Sequence, residues 1–225
     1  MDMMRKTLGF LRSLRRHNDR EWFNAHKEEY LQIKAYVDEL AARLIAEVAK
    51  VDSRASGLTP ADCTYRIYRD TRFSPDKTPY KTHIGIFINP PGGKKSMTCG
   101  YYLHIEPDNC MFAAGTICLP SPLVKAIRKS IYDEIDEFRS IVEDEDFRKL
   151  FTNLGANPVK TAPQGIPRDW EFIEYVKPRD FLADAPLTDD FLLGGDLAEK
   201  LAPYIAQAKR FNDFINYTIE EYMGL

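Results

Sequence analysis

The stretch MTCGYYLHIEPDNCMFAAGTIC, residues 97–118, reads as two strands, Met97 to Glu106 and Cys110 to Cys118, joined by a tight turn at Pro107, Asp108 and Asn109. So short a connection leaves no room for a crossover, so the two strands pair antiparallel. Working upstream, His83 to Asn89 reads as a further strand. Thr64 to Asp70 reads as the first, with Tyr65, Ile67 and Arg69 on one face and Arg66, Tyr68 and Asp70 on the other. The prolines between Ser74 and Pro79 mark a loop, and Pro90, Pro91, Gly92, Gly93, Lys94 and Lys95 make an exposed connection.

Outside this region the period becomes helical. Asn18 followed by Glu21 reads as a capping box opening one long helix to about Lys50, with Trp22, His26, Tyr30, Ile33, Val37 and Leu40 along its apolar stripe. His26 on that stripe reads as a packing residue. A second helix opens with Ser121 as cap and Pro122 in the first turn, burying Leu123, Ile127 and Ile131. Residues 133–148 hold eight carboxylates against two arginines, a solvated helical surface. Lys160 to Pro167 is a loop, and a final helix runs from about Asp196 to Tyr222. The expected fold class is α+β, a central antiparallel sheet flanked by N-terminal and C-terminal helices. The expected organisation is one domain over residues 1–225, with a C-terminal helical subdomain from about residue 155 as the alternative division.

The 225 residues carry 31 Lys and Arg against 34 Asp and Glu, a net charge of −3, and are 44% hydrophobic. This is ordinary globular composition, and it excludes a disordered chain and a uniformly cationic nucleic-acid coat. From Met1 to Arg16 the longest apolar run, Leu8 to Leu11, is too short for a secretory signal, and no stretch approaches the ~20 apolar residues a membrane helix needs. A soluble cytoplasmic protein with no membrane association is expected. Cys63, Cys99, Cys110 and Cys118 lack the paired spacing of a zinc site and are expected as buried, reduced thiols.

The charge is unevenly spread. Residues 64–83 carry Arg66, Arg69, Arg72, Lys77 and Lys81 against Asp70 and Asp76, and extending to Lys95 brings the segment to +5. Like charges on neighbouring strands repel unless an anion lies between them, and a guanidinium is a planar fork suited to carboxylate or phosphate. Strict alternation puts Arg66 and Arg69 on opposite faces. Convergence of Arg69, Arg72, Lys77, Lys81 and His83 requires the loop to fold back. Three readings stay open: ion pairs to the acidic helices, an anion-binding pocket, or a nucleic-acid patch. Only Phe73 and Tyr80 interleave as stacking residues, which disfavours nucleic acid.

A second constellation lies on the strand ending at Glu106, where Tyr102, His104 and Glu106 share a face and His83 can join across the sheet. A histidine with a carboxylate two residues on and a second histidine suits a divalent metal, acid–base chemistry or a hydrogen-bonded structural pair; no metal is assigned, and metal binding near His83, His104 and Glu106 stays open. No P-loop, dinucleotide fingerprint, nucleophile elbow or zinc helix is present.

The run Tyr65-Arg66-Ile67-Tyr68-Arg69-Asp70-Thr71-Arg72-Phe73-Ser74, then Asp76-Lys77-Thr78-Pro79-Tyr80-Lys81-Thr82-His83, resembles the signature of the bacterial conserved hypothetical proteins grouped as domain of unknown function 2461. Asn18, Arg20, Glu21, Trp22, Phe23, Lys27 and Tyr30 match its N-terminal motif. Gly100, Tyr101, Tyr102, His104, Glu106 and Pro107 match its central strand, and Gly115, Pro120 and Arg128 also fall in place. The resemblance covers nearly the whole chain and implies no activity, cofactor or substrate. Ala113 and Ala114 stand where relatives tend to have glycines, which argues against close backbone approach of a ligand there.

The functional expectation is a cationic pocket for a small phosphate- or carboxylate-bearing ligand. Arg66, Arg69, Arg72, Lys77 and Lys81 would bind it, and His83, His104 and Glu106 would supply acid–base chemistry. Cofactor and oligomeric state stay unassigned. The alternative is a non-catalytic interaction module whose basic strand-loop-strand docks an acidic protein surface or nucleic acid.

Overall fold

The computed structural model describes residues 2–90 and 92–224. Met1, Leu225 and Pro91, in the connection expected after the strand ending at Asn89, lie outside the described residues. In chain order the helices are α1 (Met3–Arg16), α2 (Arg20–Ala25), α3 (Lys27–Ala49), α4 (Pro60–Cys63), α5 (Ser121–Asp133), α6 (Ile135–Val142), α7 (Glu145–Leu150), α8 (Ile173–Val176), α9 (Asp189–Leu192) and α10 (Leu197–Met223). The strands are β1 (Ile84–Ile88), β2 (Gly100–Ile105), β3 (Cys110–Thr116), β4 (Asn153–Ala156) and β5 (Asp180–Leu187). They form a five-stranded antiparallel sheet in the order β1-β2-β3-β5-β4, an α+β fold as expected. Among the described residues no helix is long and apolar enough to cross a membrane.

The chain divides into two compact units. One holds residues 1–94, 102–112 and 186–202; the other holds 95–101, 113–185 and 203–225.

In the first unit, Asp2 caps α1 by accepting from the Met4 N–H at 3.0 Å, and Met4, Leu8, Leu11 and Leu14 bury the face that this spacing creates. The single helix expected from Asn18 to Lys50 is two. Asp19, not Asn18, is the N-cap of α2, accepting from the Trp22 N–H at 2.8 Å. The helix then breaks at His26, whose Nδ1 lies 2.8 Å from the Trp22 carbonyl and whose ring stacks on Trp22 with centroids 4.0 Å apart. A side chain that inserts into the carbonyl ladder is a sufficient cause of the kink. Past it, Ile33, Val37, Leu40, Leu44 and Val48 carry the expected stripe into the core.

Asn18 is freed for a tertiary role. Its Nδ2 donates to the Tyr80 carbonyl at 3.0 Å and its Oδ1 accepts from the Tyr80 N–H at 3.1 Å. The side-chain amide thus replaces a neighbouring strand for one residue. The expected strand Thr64 to Asp70 is not a ladder strand: it makes only isolated bridges, Thr64 to Ile86 and Tyr68 to Tyr80. Arg69 N–H donates to the Pro79 carbonyl at 2.9 Å and Lys81 N–H to the Ile67 carbonyl at 2.8 Å. Pro79 has no N–H to return to Arg69, so the pairing cannot propagate past this pair toward Asp70.

In the second unit, the amides of Asn212 and Asn216 on α10 engage the backbone leading into β2. Asn216 Oδ1 accepts from Cys99 N–H at 2.6 Å and Asn212 Nδ2 donates to the Gly100 carbonyl at 3.1 Å. Helix α5 starts after Pro120 with no side-chain cap, so Ser121 does not play the expected part. Residues 133–148 break into α6 and α7, Asp144 capping the second. Gly115, at φ 117, faces β5 so closely that a Cβ there would lie 2.1 Å from the Phe181 carbonyl oxygen. That glycine therefore serves close strand approach, and buried Ala113 and Ala114 precede it. Of the four free thiols, Cys63, Cys99 and Cys110 are buried as expected, but Cys118 is exposed, in a left-handed conformation at φ 58.

Replacing Asn18 by Ala strands both backbone groups of buried Tyr80, and loses about 1–3 kcal/mol in urea denaturation. N18D, which keeps the acceptor for the Tyr80 N–H but sets a carboxylate oxygen against the Tyr80 carbonyl, is destabilised as well; equal stability of N18A and wild type contradicts this role.

Candidate functional site

Within the first unit, a groove of about 470 Å³ lies between one face of α3, residues 64–68 and the entry to β1. Helix α3 contributes Tyr30, Lys34 and Asp38. The opposite wall is Tyr65, Arg66 and Tyr68, and His83 and Lys94 reach in from the sheet side.

Local chemistry fixes each wall. Thr59 and Asp62 form a capping box at the proline-led start of α4, Thr59 N–H donating to Asp62 Oδ2 at 2.9 Å, which sets the chain leaving α4 at Thr64. Lys94 lies in a 3-10 turn, Gly93–Lys95. Gly93 is left-handed, at φ 63, and a Cβ there would sit 2.9 Å from the Asp62 carbonyl oxygen, so only glycine brings this turn so close. Lys94 Nζ then donates to the Thr64 carbonyl at 2.7 Å, and lies 5.9 Å from the centre of the Tyr65 ring. Lys81 Nζ is 5.1 Å from the same ring. Tyr65 is thus the platform round which two ammonium groups gather.

The expected ligand-binding set separates into two groups. Arg69 pairs with Asp76 and the Thr78 hydroxyl, and donates to the Thr78 carbonyl at 3.3 Å. Arg72 holds Asp70 through Nε at 3.0 Å and Nη2 at 2.7 Å, and Lys77 donates to the Thr71 carbonyl at 2.9 Å. These three cations are satisfied inside their own loop, with partners other than the acidic helices. Their carboxylates respond: the bond from Arg72 holds Asp70 down at about 2, and the Thr78 N–H together with Arg69 holds Asp76 down at about 2. Arg66 and Lys81 are different. Among the described residues neither side chain has a carboxylate or hydrogen-bond partner. Lys81 is pushed below the usual ammonium range by burial and by the charge of Arg66. Lys34 on the far wall is paired with Asp38.

Behind the groove stands the second expected constellation. Glu106 Oε2 lies 3.2 Å from His104 Nε2, which must therefore carry the proton and donate; His104 Nδ1 then accepts the Tyr102 hydroxyl at 2.8 Å. Thr82 donates to Glu106 Oε1 at 3.1 Å and Asn109 to Oε2 at 2.8 Å, with Arg15 at 3.7 Å. Burial works to raise the Glu106 carboxyl, but the bonds from Asn109, His104 and Thr82 outweigh it and leave it lowered. Burial pushes Tyr102 up to about 12. Gly85 makes room for the tyrosine: a Cβ there would lie 2.8 Å from its ring edge and hydroxyl.

His83 packs against His104 with ring centroids 4.6 Å apart. Both nitrogens of His104 are occupied, whereas His83 has no hydrogen-bond partner among the described residues, and of the three expected acid–base residues it alone lines the groove. Burial first, then the neighbouring His104 and Lys81, push it down to about 4. Among the described residues no group of three His, Cys, Asp or Glu could hold a metal ion. The groove-shaping residues to which the sequence assigned no functional role are Tyr65, placed only by its alternation, Gly85 and Lys94. The signals for the last two were glycines, Gly85 inside a strand and Gly93 before Lys94.

Comparison with known proteins gives one result. A family model described as Conserved hypothetical protein (DUF2461) matches residues 6–214, nearly the whole chain. No curated protein and no solved structure matches.

The two ionisations separate in pH. The unfolded chain takes up the His83 proton from its ordinary 6.5 and the folded chain only near 4, so stability falls as pH drops through that window. Glu106, lowered in the fold, stabilises above its ordinary 4.5, and that stabilisation is lost below it. H83Q flattens the slope of stability between pH 6.5 and 5, above the Glu106 window, while E106Q keeps a slope there; an unchanged slope in H83Q contradicts the assignment.

Proposed function

Because the chain belongs to the family of conserved hypothetical proteins DUF2461, whose description names no activity, we propose a function from the groove itself: it binds a small anionic ligand bearing a phosphate or carboxylate. Arg66 on the groove wall is the primary anion contact, with Lys94 beside it and Lys81, outside the lining but within reach of the Tyr65 ring, adding its charge. The observation that carries this reading is that Arg66 lines the groove and adds its charge to that of Lys81, while among the described residues neither side chain makes an ion pair or a hydrogen bond and Asp70 acts on Arg66 only at longer range. A like-charged pair costs free energy unless an anion offsets it, and the offset grows where water is partly excluded. Neutral, unbonded His83 at the same groove supplies an acid–base group, and His104 and Glu106 are positioning residues that hold the wall behind it. Arg69, Arg72 and Lys77 shape the loop instead.

One observation favours the docking alternative. Phe73 is 92% exposed at the loop tip, and Arg72, with 77% of its side chain exposed, lies 5.8 Å from its ring. An exposed aromatic beside a cation suits an acidic protein surface or nucleic acid.

Isothermal titration with inorganic phosphate and with acetate tests both readings. For the groove, R66A and K81A each weaken binding at least ~10-fold, the loss of about 1.4 kcal/mol expected for a charge-assisted contact, while R72A and F73A bind as wild type. Binding abolished by R72A and untouched by R66A moves the site to the loop tip.

A further inference from the structure

We infer that the groove selects a phosphate dianion over a monocarboxylate, and that His83 takes up a proton as the anion binds, becoming an imidazolium that donates to a phosphate oxygen. The inference rests on the anion-groove reading above. Above the second ionisation of phosphate, water or buffer gives up one proton and one His83 ring nitrogen gains it; below it, the bound monoanion gives up its own proton to His83 and becomes the dianion, so the complex is the same and the proton balance closes in both cases.

Three features support this. The first is the empty hydrogen-bonding capacity of His83, set against the closed line behind it. Tyr102, His104 and Glu106 satisfy one another, Glu106 is further held by Thr82 and Asn109, and none of these groups has reason to turn toward His83. The ring is therefore held in place by its tilted packing against His104, with its nitrogens left for a ligand.

The second is the charge around it. From β2 and its end it faces His104 and Glu106; on its own segment it has Lys81; across the groove stand Tyr65 and Arg66; Lys94 comes from the 3-10 turn; and α3 offers Tyr30 and the Lys34–Asp38 pair. Burial first, and then this cationic sum, keep the imidazole neutral while the groove holds no anion. A bound dianion reverses that field at close range, and a unit charge a few ångströms away in a partly buried site is worth ~2 pH units or more.

The third is the count of donors. Arg66, Lys81 or Lys94, and protonated His83 offer donors from three directions, which suits a tetrahedral group with three acceptor oxygens. A carboxylate has two oxygens and one charge, too little to raise His83 as far.

The test is an NMR titration of the His83 ring from pH 4 to 8 in the full chain, alone, with saturating inorganic phosphate, and with acetate; H83Q assigns the resonance. The expected result is that phosphate raises the His83 midpoint by two units or more, that acetate raises it less and binds at least ~10-fold more weakly, and that H83Q weakens phosphate binding at pH 6. Phosphate that binds, with dependence on Arg66, while the His83 midpoint stays put overturns this inference and leaves the groove reading standing. Should phosphate fail to bind at all, the groove reading falls, and this one with it. If H83Q does not fold, H104Q assigns the pair by difference and the wild-type titration decides.

Discussion

The carboxylate of Glu106 is the interaction on which the first unit's architecture around the groove depends. It accepts from Thr82, His104 and Asn109 and lies near Arg15, so one anion ties together α1, the chain entering β1, the end of β2 and the turn before β3. With His104 Nε2–H committed to Glu106, His104 Nδ1 must accept, and Tyr102 must donate. Tyr102 can lie there only because residue 85 has no side chain. His83, packed at a tilt against His104, inherits a fixed position without inheriting a hydrogen bond among the described residues. The free imidazole in the groove is thus a consequence of how fully the line behind it is satisfied.

A second constraint acts from the opposite wall. The segment 64–68 is held by isolated bridges, by Asn18 gripping the Tyr80 backbone and by Lys94 gripping the Thr64 carbonyl. Side-chain donors and acceptors here do what a ladder does elsewhere, and they leave Arg66 and Tyr65 displayed. Both walls are defined by polar groups that consume one another's bonding capacity. What is left over, Arg66, Lys81 and His83, is what a ligand would meet.

How much of this was legible in the sequence follows from the range of each interaction. The hairpin at 97–118, the stripe of α3 and the long C-terminal helix were readable because local period reports them directly. Strand β5 was not read: its buried positions, Phe181, Ala183, Ala185 and Leu187, alternate, but the alanines are small and Pro186 interrupts. The four-residue β4 is too short to show a period. Thr64 to Asp70 has the alternation of a strand but makes only isolated bridges, and Pro79, opposite Arg69, removes the donor that would carry the pairing on toward Asp70. For the site, the Tyr102, His104, Glu106 face was visible by parity, and the density of cations was visible by counting. Which cations were already paired could not be read, since Arg69 with Asp76 and Arg72 with Asp70 are matters of loop geometry. Nor could Lys94, placed by a glycine turn some thirty residues from its partner Thr64.

On the anion-groove reading, the cations left without partners mark the ligand site and the paired ones do not. A crystal structure of the full chain grown with phosphate or tungstate decides this. The anion is then expected within hydrogen-bond distance of the Arg66 guanidinium, with His83 and an ammonium of Lys81 or Lys94 as further donors. An anion seated on Arg72 or Lys77 at the loop tip, with Arg66 and Lys81 bare, contradicts it.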